Sequence, residues 1–507
     1  MALDDDADKK PAALENAELR AGNLALREEN GELSELVAAL QLLNEQQSAR
    51  MAELEELNRS FAARIADLEE RLGRNPRNSS MPPSAEGFSK PPAPNRAERR
   101  AAKRRPGKQP GTEGKHLAQV QDPDDVRIHA PGVCESCGED LAHADIVNVE
   151  RRQVFELPSM RPFVTEHRME RRRCACGCET KAAAPKEATA PACYGPGVRA
   201  LAAYLAVYQH LPYDRMAQLF GDVLGIEISV GALAQMVAEA GGALGLFTDV
   251  VRDLLIDAPA VNFDETGARV AGSLHWVHVA CNALYTLIDC HKRRGRVAMD
   301  TLGVIEAMRG TAVHDGWQPY RTYNVLHQLC NGHHIRELAA IFEVLDQGWA
   351  DEMIALLIDA KEMVEAARAA GSDHLDEGAL HSIRVRYGTL IQKGWAANPE
   401  PEKSKRAGYE KKAVNLLTRL DTQRADVLRF ATDFALSWDN NQAERDVRMV
   451  KLQQKISGTW RTLDGARGYC AIRSYISTMK KQGQPVLAGL RLLFEGGVWL
   501  PEGLART

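Results

Sequence analysis

The sequence predicts a multidomain α and α/β chain. It reads as an N-terminal coiled coil, a cysteine-bearing module, a helical region, and a mixed sheet domain interrupted by a helical insertion. Three observations carry this. Leucine recurs every seven residues near the N-terminus, five of the ten cysteines fall within residues 134–178, and helical texture gives way to short β-branched runs at 258–332. At 507 residues the chain has room for about three or four domains.

The heptad occupies residues 1–75. Leu19, Leu26, Leu33 and Leu40 are seven apart, and the series resumes after Gln47 at Leu54, Phe61 and Leu68. With these at d, position a holds Asn23, Asn30, Val37, Asn44, Met51, Asn58, Ile65 and Leu72. Leu at d with Asn at a is the pattern of a parallel two-stranded coil, in which buried Asn fixes register at a cost in stability. A single long solvated helix is the plainer alternative, and the sustained repeat argues against it. Periodicity then collapses into a Pro- and Gly-rich linker, 76–115. Residues 88–115 carry nine Lys or Arg against two Glu, among them Arg104, Arg105 and Lys108, which makes a basic arm suited to phosphates as well as a solvated spacer.

Composition narrows the setting. A net charge of −5 over this length names no partner. The cysteines are too few and too clustered for a secreted disulfide scaffold, which points to a reducing cytoplasm. The N-terminus is acidic and lacks an apolar signal core, and no apolar run reaches the ~18 residues that span a bilayer, so no membrane partner is expected.

The module at 116–190 holds Cys134-x-x-Cys137 and then Cys174-Ala-Cys176-Gly-Cys178. Thiolates in such pairs suit one structural zinc with four tetrahedral ligands, completed by two of Cys174, Cys176 and Cys178. No thioredoxin-like βαβ pattern surrounds it, which disfavours a redox pair. Residues 191–256 read as helical. An amphipathic helix from Tyr213, a Gly turn and a second helix with Ser229 as N-cap have the spacing of a helix-turn-helix, and equally of two ordinary packed helices.

From 257 to 334 the runs APAVNFDE, SLHWVHVAC and ALYTLIDCH read as strands, followed by a helix near 298–309, the strand TAVHD and a fifth strand at HQLC. Residues 335–435 read as a helical insertion, 436–460 as a helix carrying Glu444, and 461–507 as a C-terminal helical region. Asp264 and Asp315 close β-branched runs, and Glu444 opens its helix. Each has a bland reading: a strand end, an Asp-Gly turn, and the partner of Asn441 in a capping box. Together, two strand-end aspartates and a helical glutamate can hold a pair of hard cations that clamp a phosphodiester. Arg448, Lys451 and Lys455 lie at i+4, i+7 and i+11 from Glu444, so one helical face carries a carboxylate and three cations, suited to a nucleic-acid backbone.

DET at a strand end, HDGW, CNGHHIREL and DNNQAERDVRMVKLQQKISG resemble the insertion-sequence-sixty-six family of bacterial DDE transposases. NSSMPPSAEG, RRPGKQPGTEGK and RRRCACGCET resemble that family's N-terminal region and cysteine module. The resemblance implies a ribonuclease-H-like catalytic domain with a helical insertion. It implies Asp264, Asp315 and Glu444 as ligands of two Mg2+ (or Mn2+), cleaving insertion-sequence ends and transferring the strand into target DNA. It maps the second zinc pair onto Cys174 and Cys176, with Thr180 in step and Cys178 left over. Cys330-x-x-His333 is similar to a signature that follows the second aspartate in many such enzymes, and is equally a core thiol beside an exposed histidine. Expected partners are DNA, a homodimer or higher oligomer through the coiled coil, and accessory proteins of the same element. Two rivals stand beside this reading: a nuclease of the same fold that cuts without joining, and a zipper-bearing zinc regulator with an inert sheet domain.

Overall fold

The computed structural model describes residues 12–73, 117–158, 160–400 and 408–502. The basic linker 76–115, with Arg104, Arg105 and Lys108, lies outside them. The chain divides into two compact units, Gly87–Cys330 with Ala435–Thr507, and Met1–Glu86 with Asn331–Phe434.

The first unit contains the small antiparallel pair β1 (Arg171–Arg173) and β2 (Glu179–Lys181) and a five-stranded mixed sheet. The sheet strands are β3 (Ala260–Val270), β4 (Ser273–Cys281), β5 (Thr286–His291), β6 (Thr311–His314) and β7 (Leu326–Leu329), in spatial order β5-β4-β3-β6-β7. β3, β4 and β5 form an antiparallel meander, while β6 and β7 add in parallel on the other side of β3. The β3–β4 turn is the two-residue kind with both φ positive, at Ala271 (49°) and Gly272 (78°), whose twist matches that of the strands it joins. The helix expected near 298–309 is shorter, α6 (Arg296–Leu302). It stops because Gly303 takes the left-handed conformation, φ 74°, that terminates helices.

Before the sheet come α2 (Pro196–Val207), α3 (Tyr213–Leu224), α4 (Val230–Gly242) and α5 (Gly245–Ile256). Gly225, φ 64°, ends α3, and the Ser229 hydroxyl accepts from the Ala232 N–H at 3.1 Å to cap α4. These helices share one apolar core with the sheet, through Phe220, Leu233, Phe247 and Leu255 beside Val261, Phe263, Val279 and Ile288. α4, the second helix of the helix-turn-helix-like pair, contains no Lys or Arg.

After the sheet-proximal helix α12 (Asn441–Ser457) come α13 (Leu463–Lys481) and α14 (Val486–Phe494). β5 is a sheet edge, and α13 covers it. The Thr286 N–H donates to Thr478 Oγ1 at 3.0 Å and the Ile288 N–H to Ser474 Oγ at 2.8 Å. Both hydroxyls are fully buried, so they satisfy strand donors that would otherwise be orphaned.

The second unit holds α1 (Ala12–Gly73) and the helices α7 (Asn331–Leu345), α8 (Gly348–Ala369), α9 (Glu377–Ala397), α10 (Gly408–Thr422) and α11 (Arg424–Leu428). α7–α11 bury Leu338, Trp349, Leu356, Tyr387, Leu417 and Phe430. Close packing leaves no room at Gly394, where an added Cβ would come 2.4 Å from Leu417 Cδ2. Along α1 the d-position residues Leu19, Leu26, Leu33, Leu40, Leu54 and Phe61 are 47–61% exposed, an apolar stripe on the helix surface. No single helix among the described residues is long and apolar enough to cross a membrane.

Candidate active site

Strand register brings the two aspartates together. β3 and β6 run in parallel up to Asn262 beside Val313, and Asp264 and Asp315 each follow two residues beyond that pair, close enough for the Asp315 charge to act on Asp264. Each aspartate spends one oxygen locally: Asp264 Oδ1 accepts from the Glu265 N–H at 2.9 Å, and Asp315 Oδ1 from the Trp317 N–H at 2.8 Å. Their other oxygens take no hydrogen bond among the described residues.

Glu444 is delivered by the start of α12. Asn440, fully buried, is the residue before the helix, and its side chain does not cap it. Instead Asn440 Nδ2 donates to the Phe263 carbonyl at 2.7 Å, and Asn440 Oδ1 accepts from Asn262 Nδ2 at 2.9 Å. The residues preceding Asp264 therefore hold the start of the Glu444 helix. The capping-box alternative falls here, because the helix begins at Asn441 and Glu444 is its fourth residue rather than its third. A buried pair anchors the same helix: Asp446 Oδ2 meets Lys481 Nζ and Thr286 Oγ1, each at 3.1 Å. Cys330 is buried, accepts the Asn440 N–H at 3.1 Å, and lies within 4.8 Å of a Glu444 carboxylate oxygen.

The electrostatics carry the mark of convergence. Burial first, then the Glu265 charge, and beyond these Asp315 and Glu444 push the Asp264 carboxyl well above the usual range. All three sequence-predicted carboxylates therefore act on one locus. Arg448, Lys451 and Lys455 are exposed on α12 as expected; Lys451 also donates to the Gly267 carbonyl, and its partial burial lowers its pKa.

Sequence reasoning missed the support around these acids. Glu265 has a side chain only 2% exposed and accepts Tyr320 Oη at 2.6 Å and Arg294 Nη2 at 2.8 Å. Beneath the Asp315 loop, the Gly316 N–H donates to His314 Nδ1 at 3.0 Å, and His314 Nε2 meets His327 Nδ1 at 3.0 Å. Because Nδ1 of His314 is an acceptor, the neutral ring carries its proton on Nε2 and donates it to His327. Burial, then His327, keeps His314 well below the usual histidine range, so the His314 ring stays neutral. The available signal was adjacency to Asp264 and Asp315, and it reached only Glu265, His314 and Gly316; Arg294, Tyr320 and His327 lie further along the chain and carried none.

The cysteine module forms two similar turns. Gly138 (φ 75°) follows Cys137 and donates to the Cys134 carbonyl at 2.8 Å; Gly177 (φ 87°) follows Cys176 and donates to the Cys174 carbonyl at 2.8 Å. Backbone N–H groups turned onto the first sulfur of each pair, that of Cys137 onto Cys134 and that of Cys176 onto Cys174, lower both thiols. The turns are formed separately: among the described residues, no three of these thiols lie within 4.8 Å of one another.

A mixed sheet with acids on β3, just past β6 and on a following helix has a donor set of the kind that suits metal-dependent phosphoryl transfer. The particular family follows from comparison. Residues 191–468 match the model of the IS66 family of transposases, and the chain belongs to that family. Residues 8–118 match a family of unknown function, DUF6444, and no curated protein matches the chain.

Proposed function

We propose that the chain is a DNA transposase that cleaves the ends of its element and joins them to target DNA at a site built from Asp264, Asp315 and Glu444. The observation that carries this reading is the placement of the acids: Asp264 on β3, Asp315 just past the neighbouring parallel strand β6, and Glu444 on a helix whose first residues are bonded to β3 through Asn440. Three clustered carboxylates, two with an unengaged oxygen, are unfavourable alone and favourable around hard cations, so the donor set fits magnesium or manganese. Two such ions would supply Lewis acidity and charge neutralisation at the phosphodiester. Asp264 lies within β3 and not at the strand end the sequence suggested, because β3 runs on to pair with β4; it would hold them from mid-strand, Asp315 from just past β6, and Glu444 from a helix start pinned to β3. Arg448, Lys451 and Lys455 would take DNA phosphates along the same helix, beside the basic arm with Arg104, Arg105 and Lys108.

Cys134, Cys137, Cys174 and Cys176 would hold one structural zinc. The repeated Cys-Gly turn supports the choice of Cys176 over Cys178, because left-handed Gly177 follows Cys176 as left-handed Gly138 follows Cys137. The exposed α1 stripe suits pairing with a second copy, so that two element ends are held at once. Accessory proteins of the same element would complete the assembly.

The test is a DNA end labelled on its strand with a free 3′-hydroxyl, incubated with target DNA and magnesium. Joined products lost in Asp264→Asn are expected. Cutting without joining would favour the nuclease, and binding without metal-dependent cleavage the zinc regulator.

A further inference from the structure

We propose that Arg294 is a phosphate anchor that holds the DNA strand beside the candidate active site, an inference that rests on the transposase reading. Arg294 lies in the basic loop His291-Lys292-Arg293-Arg294-Gly295-Arg296, between β5 and α6. Its guanidinium carbon sits 4.6 Å from the centroid of the Trp276 ring and 4.0 Å from that of Trp317. Two indole faces therefore fix the guanidinium plane, a role that a lysine ammonium cannot fill. Glu265 Oε1 then takes Nε at 3.1 Å and Nη2 at 2.8 Å. Nη1 takes no hydrogen bond among the described residues, and the side chain is 40% exposed. An arginine packed against two indole rings and bonded along one edge, with Nη1 open, is prepared for an oxyanion.

Position says which oxyanion. Glu265 directly follows Asp264, and Trp317 stands two residues after Asp315, so two of the three tethers of Arg294 spring from the aspartate segments, the third being Trp276 on β4. The acids concentrate negative charge where an anionic strand must approach, and a fixed cation at the rim offsets that repulsion. Lys292 and Arg293, both exposed on the same loop, extend the positive surface. Glu265 is itself consumed by Arg294 and the Tyr320 hydroxyl, which keeps it out of the metal-holding set.

The experiment uses the full chain and a labelled duplex of the inverted repeat that borders its gene. Binding is read by anisotropy in calcium, and cleavage in magnesium. Arg294→Ala should weaken both by roughly tenfold or more, as expected for one charged hydrogen-bonded contact. Arg294→Lys should not restore them; because Arg294→Ala unpairs the buried Glu265 and lowers the melting temperature, both are measured where circular dichroism shows the variants folded. The decisive step replaces single phosphates near the cleavage position by neutral methylphosphonates. At one position the wild type should lose as much as Arg294→Ala loses, with no further loss when both changes are combined. Additive losses at every position, or a Arg294→Ala protein that binds normally, would overturn the proposal. Failure of the transposase reading looks different: the wild type would show no metal-dependent cleavage, while the calcium binding cycle would still report on Arg294.

Discussion

Glu444 separates its two readings at a single atom. With the helix starting at Asn441, Glu444 lies past the N3 position of a capping box, and Gln keeps its shape, so Glu444→Gln should leave the fold intact, read by a melting curve. As a metal holder, the same change removes charge that the cations need, and cleavage should fall at least roughly a hundredfold, the upper end of what even outer-shell changes cost a metal site. Full activity in Glu444→Gln would remove it from the triad. Asp264 makes the complementary prediction. A carboxyl whose folded-state pKa lies above its unfolded value costs stability wherever it is ionised, so metal-free Asp264→Asn should melt above the wild type at neutral pH. That gain should shrink as pH falls below the raised pKa and vanish only near the ordinary carboxyl range, where the unfolded chain is also protonated. Magnesium should raise the melting temperature of the wild type and leave that of Asp264→Asn unmoved, as expected when a ligand binds only the folded state.

Elements were legible where one local rule governs them. β-branched runs marked the strands of the mixed sheet, and Ser229 was readable as a cap because its chemistry is local. The helix near 298–309 was drawn too long because the left-handed turn at Gly303 competes with a continuing apolar pattern. The support of the acids was not legible, since Asn440 reaches β3 across 177 residues and Ser474 and Thr478 look like ordinary helix positions until β5 needs their hydroxyls. Ser474→Ala should orphan the Ile288 N–H and cost about 1–3 kcal/mol, measurable by denaturant unfolding, whereas an unchanged midpoint would show the edge is satisfied otherwise. For the cysteine module, Cys134→Ser should abolish zinc binding to the full chain and Cys178→Ser should spare it, read by metal content after dialysis. Loss of metal in Cys178→Ser would reassign the fourth ligand. In α1, replacing Asn30 and Asn44 by Val should stabilise the paired helix by roughly 1–3 kcal/mol per site and loosen its choice of oligomer, seen by melting and sedimentation.

At the scale of the whole molecule, a transposase must do the same chemistry on two DNA ends within one assembly, and a single catalytic site does not provide that. The residues proposed for chemistry lie in one compact unit, whereas the exposed stripe of α1 belongs to the other. Pairing and chemistry should therefore be separable by substitution. Leu33→Lys with Leu40→Lys places charge at two d positions of the stripe without touching Asp264, Asp315 or Glu444. If α1 pairs subunits, this double variant should sediment as a smaller species and still cleave a single labelled end at close to the wild-type rate. Joining of two ends to one target should fall by roughly tenfold or more, because pairing ends by collision forfeits the effective concentration, in the millimolar range for short linkers, that a shared assembly provides. Gel resolution of single-end from double-end products decides the matter. Equal loss of both products would mean that α1 is needed for the fold or for cleavage itself. Loss of neither would leave the stripe without a part in holding two ends together.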